Sequence, residues 1–133
     1  MHMKVIDKLA WIEINEKQIL VARSKGKEAF YIPGGKREAN ETDAEALIRE
    51  IQEELSVDLK SDSLDYYGTF SAQAHGHIEG VLVQMTCYTG KYQGELKAAA
   101  EIEEMVWLKF EEMDKTSHVD KIIFKDLRSK GIL

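Results

Sequence analysis

Cysteine is almost absent from this chain of 133 residues, proline occurs once, and long apolar runs are missing. The single cysteine, Cys87, permits no internal disulfide and argues against a secreted, bridge-stapled scaffold. Cys87 lies in an apolar alternating stretch and is expected to be a buried structural thiol. No segment approaches the roughly 20 consecutive apolar residues of a membrane span. Met1-His2-Met3-Lys4 has no signal-peptide core, so a soluble cytoplasmic protein is expected. Positive charge is also scarce: 18 Lys+Arg stand against 24 Asp+Glu, a net charge of −6. That balance opposes a nucleic acid polymer or an anionic membrane as main partner, because like charges repel. A small phosphorylated ligand that arrives with a metal remains compatible.

An apolar content of 44% is enough for a core. The length suits one domain, 1–133, able to bury about two-thirds of its unfolded surface without disulfides or metal. Strands are expected over 7–14 and 18–23, joined as a hairpin through Asn15-Glu16-Lys17. A short strand over 30–32 should stop at Pro33-Gly34-Gly35, read as a turn. Further strands are expected over 64–71, 78–89 and 105–110. Helices are expected from Thr42 or Asp43 to about Leu55 and over 119–130. Thr42 with Glu45 is a capping-box pattern. Ala44, Leu47, Ile48, Ile51 and Leu55 form one apolar arc of the first helix. The second places Ile122, Ile123, Leu127 and Ile132 or Leu133 on its apolar side. The fold class is α/β in the α+β sense, a mixed β-sheet flanked by helices.

The chemistry concentrates between Gly35 and Val57. Glu50, Glu53 and Glu54 stand at i, i+3 and i+4, one stripe of a helix, expected beside the apolar arc and not within it. Nothing basic at helical spacing relieves them, apart from Arg49 at the side. A divalent cation is the simplest compensation, and clustered carboxylate oxygens suit hard Mg²⁺. Taken alone, three glutamates are more often a solvated face. The preceding Pro33-Gly34-Gly35-Lys36 alters that balance, because glycines permit close backbone approach and Lys36 adds a cation for phosphate.

These residues resemble the Nudix box, G-x5-E-x7-R-E-U-x-E-E-x-G-U with U aliphatic. Here Gly35 is followed after five residues by Glu41, and after seven more by Arg49-Glu50-Ile51-Gln52-Glu53-Glu54-Leu55-Ser56-Val57. Ser56 replaces the last glycine, which implies a changed loop and intact chemistry. The resemblance implies a Nudix-type α/β/α sandwich and Mg²⁺- or Mn²⁺-dependent hydrolysis of nucleoside diphosphate-linked compounds. It assigns Glu50, Glu53 and Glu54 to metal, with Glu53 as the general base. Arg49 orients these carboxylates, Glu41 pairs with Arg49, and the backbone at Gly34 or Gly35 meets metal. Lys36 and Gly35 meet the phosphates.

Glu101 and Glu104 are both candidates for an added metal ligand, and Glu104 is taken. Arg23 is a candidate phosphate ligand. His75-Gly76-His77 lacks the third ligand of a zinc site and is expected to be a loop near substrate. Tyr31, Tyr66, Tyr67 and Phe70 can stack on a base, although strand aromatics more often serve the sheet.

The leading expectation is a nucleoside triphosphate pyrophosphohydrolase of the MutT type. Pro33 is the only proline, so the proline that marks ADP-ribose hydrolases beyond the box is missing. The alternatives are a nucleotide-sensing module without turnover and a hydrolase of a nucleotide sugar or ADP-ribose-type substrate. A homodimer is common among such proteins. The negative charge is also localised. Residues 35–57 carry −4 and residues 95–114 carry −5, leaving +3 for the remainder.

Overall fold

The computed structural model describes residues 4–74 and 76–133. His75, from the His75-Gly76-His77 expectation, lies outside the described residues. Among the described residues, nine strands and two α-helices follow one another: β1 (Lys4–Trp11), β2 (Ile14–Asn15), β3 (Gln18–Ser24), β4 (Gly34–Lys36), α1 (Asp43–Leu55), β5 (Asp58–Leu59), β6 (Asp65–Gln73), β7 (Val81–Thr89), β8 (Tyr92–Gln93), β9 (Ile102–Leu108) and α2 (His118–Ser129). The fold is α+β, with mixed sheets flanked by helices, as expected.

The largest sheet has the order β4-β1-β7-β6. β1 and β7 run parallel, and the other pairs are antiparallel. A second sheet joins β2, β3 and β9, and β5 pairs with β8. The expected hairpin is therefore shorter than the sequence suggested. It links β2 to β3, while β1 ends at Trp11 and belongs to another sheet. Glu16 and Lys17 both have positive φ, the conformation that a two-residue hairpin turn demands.

The glycines bring the main departure. Gly34 and Gly35 form a strand with Lys36, not a turn, and pair antiparallel with β1. Residues 30 and 31 make only isolated bridges, to Thr116 and Ala22. A Cβ at Gly34 would collide with the carbonyl of Leu9, and one at Gly35 would collide with the Glu50 carboxylate. Only glycine lets β4 lie this close to both β1 and α1.

Helix α1 starts as read. Thr42 Oγ1 accepts from Glu45 N–H at 3.1 Å, and the Glu45 carboxylate accepts from Thr42 N–H at 2.9 Å. Ser56 closes the helix in the left-handed region, φ 66 and ψ 19, where the box glycine would sit. The buried face of α1 is rotated from expectation. Ala46, Leu47, Ile51, Glu54 and Leu55 are buried, and Ala44 and Ile48 only half-buried. Glu54 thus lies within the buried face, not beside it.

Two apolar clusters flank the central sheet. One packs Leu9, Trp11 and Leu20 against Leu47, Ile51 and Leu55 of α1. The other packs Ile6, Ala10, Val83, Met85 and Cys87 against Val119, Ile123, Phe124 and Leu127 of α2. Cys87 is buried as expected, and burial pushes its thiol up to about 12. Among the described residues, no helix is long and apolar enough to cross a membrane.

Candidate active site

A cavity of about 750 Å³ opens between the α2 side of the large sheet and the end of α1. Glu50, Glu54 and Glu101 stand at one end, with the backbone of Gly34 and Gly35. Phe30, Ile32, Val83, Met85 and Val119 form apolar walls beyond them. One space thus joins hard oxygen donors to an apolar chamber.

Arg49 organises the acidic end. Its Nε and Nη2 donate to the two carboxylate oxygens of Glu41 at 2.8 and 2.9 Å, a bidentate fork. Nη1 donates to Glu50 at 2.8 Å, and Nη2 to the Lys36 carbonyl at 3.1 Å. The guanidinium therefore fastens α1 to the loop before it and to β4. Hydrogen bonds from Arg49, with one from Glu38 N–H, hold Glu41 down at about 2.

Glu50 and Glu54 behave in the opposite way. Burial pushes Glu50 up despite the pull of Arg49. Glu54 is 4% exposed and rises to about 8, first through burial and then through the charge of Glu50. The Gly34 N–H, donating to Glu54 at 3.4 Å, opposes this only partly. The charge of Glu101 raises both further.

Among the described residues, no group of three His, Cys, Asp or Glu is gathered as a ready-made metal cage. The donor chemistry nonetheless fits a hard cation. Mg²⁺ takes one or two carboxylates, keeps several waters and completes its shell with substrate phosphate. A cation there would favour the ionised forms of Glu50 and Glu54, which burial opposes.

The other expected residues are distributed as follows. Gly34, Gly35 and Lys36 line the cavity. Glu53 does not line it; its side chain is 52% exposed and lies 3.6 Å from Arg49. Glu104 also stays out, because its carboxylate accepts from Arg23 Nε and Nη2 at 3.0 and 2.8 Å. β9 begins at Ile102, three residues earlier than expected, so Glu104 is a strand residue facing β3. Glu101 precedes that strand and reaches the cavity in its place. Arg23 is consumed by Glu104, the Lys27 carbonyl and the face of Phe30, and does not line the cavity.

Of the four aromatics considered, only Tyr31 lines the cavity. It shares a 2.9 Å hydrogen bond with Ser24, and burial and the Glu54 charge push its phenol up. Gly76 and His77 also line the cavity. Sequence reasoning missed Lys8, which the alternation of β1 could have exposed.

Paired carboxylates on a helix, a glycine strand against them and an adjoining apolar chamber define a site for phosphorylated small molecules. The NUDIX domain family model matches residues 9–127. The sequence is 30% identical over 118 residues to an ADP-ribose pyrophosphatase of Methanocaldococcus jannaschii, covering 86% of this chain and 68% of that protein. The structure resembles that of a MutT NUDIX hydrolase from Burkholderia pseudomallei, with TM-score 0.75 and 20% identity over 92% of this chain and 97% of that one. It also resembles a MutT protein from Bacillus halodurans, with TM-score 0.69 and 26% identity over 90% and 79% of the two chains. The chain belongs to the Nudix hydrolase family, whose members cleave phosphoanhydride bonds of small nucleotide substrates and generally use divalent metals.

Proposed function

We propose that this chain is a Mg²⁺- or Mn²⁺-dependent nucleoside triphosphate pyrophosphohydrolase. The observation that supports it most is a cavity whose lining joins Glu50 and Glu54 to apolar walls. A nucleoside fits the chamber, and its phosphates then fall against the glycine strand and the carboxylates. Glu50 and Glu54, with the backbone at Gly34 or Gly35, would hold the metal. The bound ion supplies charge neutralisation at the phosphates and lowers the pKa of a coordinated water.

The chain's own residues do the rest. Arg49 fixes the rotamer of Glu50, and Glu41 fixes Arg49. Lys36 offers a positive charge to the phosphates from the rim. Two carboxylates compete for the role of general base. Glu53 matches the family position, and Glu101 has the better access to the cavity. A base must come within hydrogen-bond reach of the attacking water, so Glu53 would have to turn inwards.

A second reading has one specific observation in its favour. The Methanocaldococcus relative is called an ADP-ribose pyrophosphatase. The cavity has room for that substrate class too. Incubation with Mg²⁺ and a panel of nucleoside triphosphates, a nucleotide sugar and ADP-ribose, with products resolved by chromatography, separates the two. Nucleoside monophosphate and pyrophosphate from a triphosphate support the first reading. AMP and ribose phosphate from ADP-ribose, with triphosphates untouched, support the second. Tight binding without turnover of any member would leave a sensor.

A further inference from the structure

The large sheet turns an apolar face to α2. On β1 that face carries Ile6 and Ala10, and on β7 it carries Val83, Met85 and Cys87. Side chains two apart on a strand share a face, so Lys8 belongs to the same row as Ile6 and Ala10. Register sets Lys8 opposite Met85 on β7 and opposite Lys36 on β4. Both lysines line the cavity. Lys8 is thus an ammonium set into an otherwise apolar row.

Lys8 is half-buried and opens to the cavity, so its ammonium is within reach of a bound anion. Two carboxylates face Lys8, Glu54 from α1 and Asp120 from α2, and it acts on both through its charge. Neither is an ion-pair partner: among the described residues no carboxylate lies within 4 Å of its nitrogen. Both already have other donors. Glu54 accepts from Gly34 N–H, and Asp120 accepts from Ile32 N–H and the Ser117 hydroxyl. Lys8 therefore has unspent donors aimed into the cavity. It stands where the carboxylate end meets the apolar chamber. A nucleoside in the chamber with its anhydride at the carboxylates must pass its first phosphate across this point.

We propose that Lys8 is a substrate-binding residue, and that its ammonium, with that of Lys36 opposite, clamps the phosphate attached to the nucleoside. This rests on the hydrolase reading for the orientation of the substrate. Lysine meets a phosphate as a point charge, which suits a contact that holds the ligand without dictating the base.

The test is equilibrium binding in EDTA, by calorimetry, of AMP, GMP, CMP and UMP and of the corresponding nucleosides. Wild type, Lys8→Met and Lys8→Arg are compared. The expected result is about a ten- to hundredfold loss of monophosphate affinity in Lys8→Met, as for one charged hydrogen bond. Nucleoside affinity should be unchanged, and Lys8→Arg should recover most of the loss. A structural role for Lys8 would weaken nucleoside and nucleotide alike. Equal losses overturn the proposal, as does unchanged monophosphate binding or the absence of monophosphate binding to the wild type. Turnover of the substrate panel by the wild type, measured separately, decides the hydrolase reading on its own terms.

Discussion

Replacing Glu54 by glutamine should stabilise the metal-free protein while removing its response to Mg²⁺. The side chain is 4% exposed, and its carboxyl is raised from 4.5 to about 8, chiefly by burial. Between those two values the folded chain holds a proton that the unfolded chain has released. This contribution to stability is complete below about pH 4.5, falls as pH rises to about 8, and stays lost above it. The shift corresponds to a loss on the order of 3–5 kcal/mol across the window. Glutamine keeps an oxygen for the Gly34 N–H and carries no charge, so it escapes the loss. In EDTA, urea denaturation of Glu54→Gln should match wild type near pH 4.5 and exceed it by about 3 kcal/mol or more at pH 8.5. Mg²⁺ should raise the stability of wild type at pH 8.5 and leave the variant unmoved, because a ligand stabilises only the fold that binds it. Parallel pH curves for the two proteins, or a variant less stable at pH 8.5, would refute the reasoning.

The two glycines of β4 should separate in their effects. Gly34→Ala drives a methyl into the backbone of β1 and should cost about 3 kcal/mol or more by chemical denaturation. Gly35→Ala meets only the side chain of Glu50 and no backbone, so the protein should fold while kcat falls about a hundredfold through a displaced carboxylate. Ser56→Gly should gain up to about 1 kcal/mol at the left-handed cap, less whatever the exposed Ser56 bond to the Lys97 carbonyl contributes, with activity unchanged. Arg49→Lys cannot reproduce the fork to Glu41 and should lower kcat much more than it raises KM. Of the two base candidates, the true base is the one whose Gln variant, Glu53→Gln or Glu101→Gln, lowers kcat and flattens the acidic limb of the pH–rate profile, where a base is silenced by its own protonation.

Local chemistry was legible in the sequence. The Thr42–Glu45 capping box rests on spacing along one helix and its cap, and it stands where spacing put it; the pairing of Glu41 with Arg49, which the Nudix resemblance implied, is formed as well. What failed depended on distant chain. Glu54 was placed beside the apolar arc because helical periodicity does not show which face a neighbouring strand will cover. β4 covers it, and only because two glycines lie flat enough to pair with β1. Glu104 was preferred to Glu101 for a similar reason. β9 pairs with β3 through an irregularity between Arg23 and Ser24, and no periodicity announces that Arg23 will meet Glu104. Lys8 was overlooked because strand alternation was used to find core residues, while an ion within an apolar row is where a ligand is to be sought.

The central claim is that the carboxylates at the cavity's end hold a divalent ion that enables anhydride cleavage. The direct measurement is release of nucleoside monophosphate from the substrate panel as Mg²⁺ is titrated, for wild type and for Glu50→Gln. Saturable, Mg²⁺-dependent release by wild type is expected. Glu50→Gln should lose most of that turnover, with a folded far-UV spectrum and a higher Mg²⁺ requirement. Undiminished turnover by Glu50→Gln, or release by wild type that ignores Mg²⁺, would contradict the account.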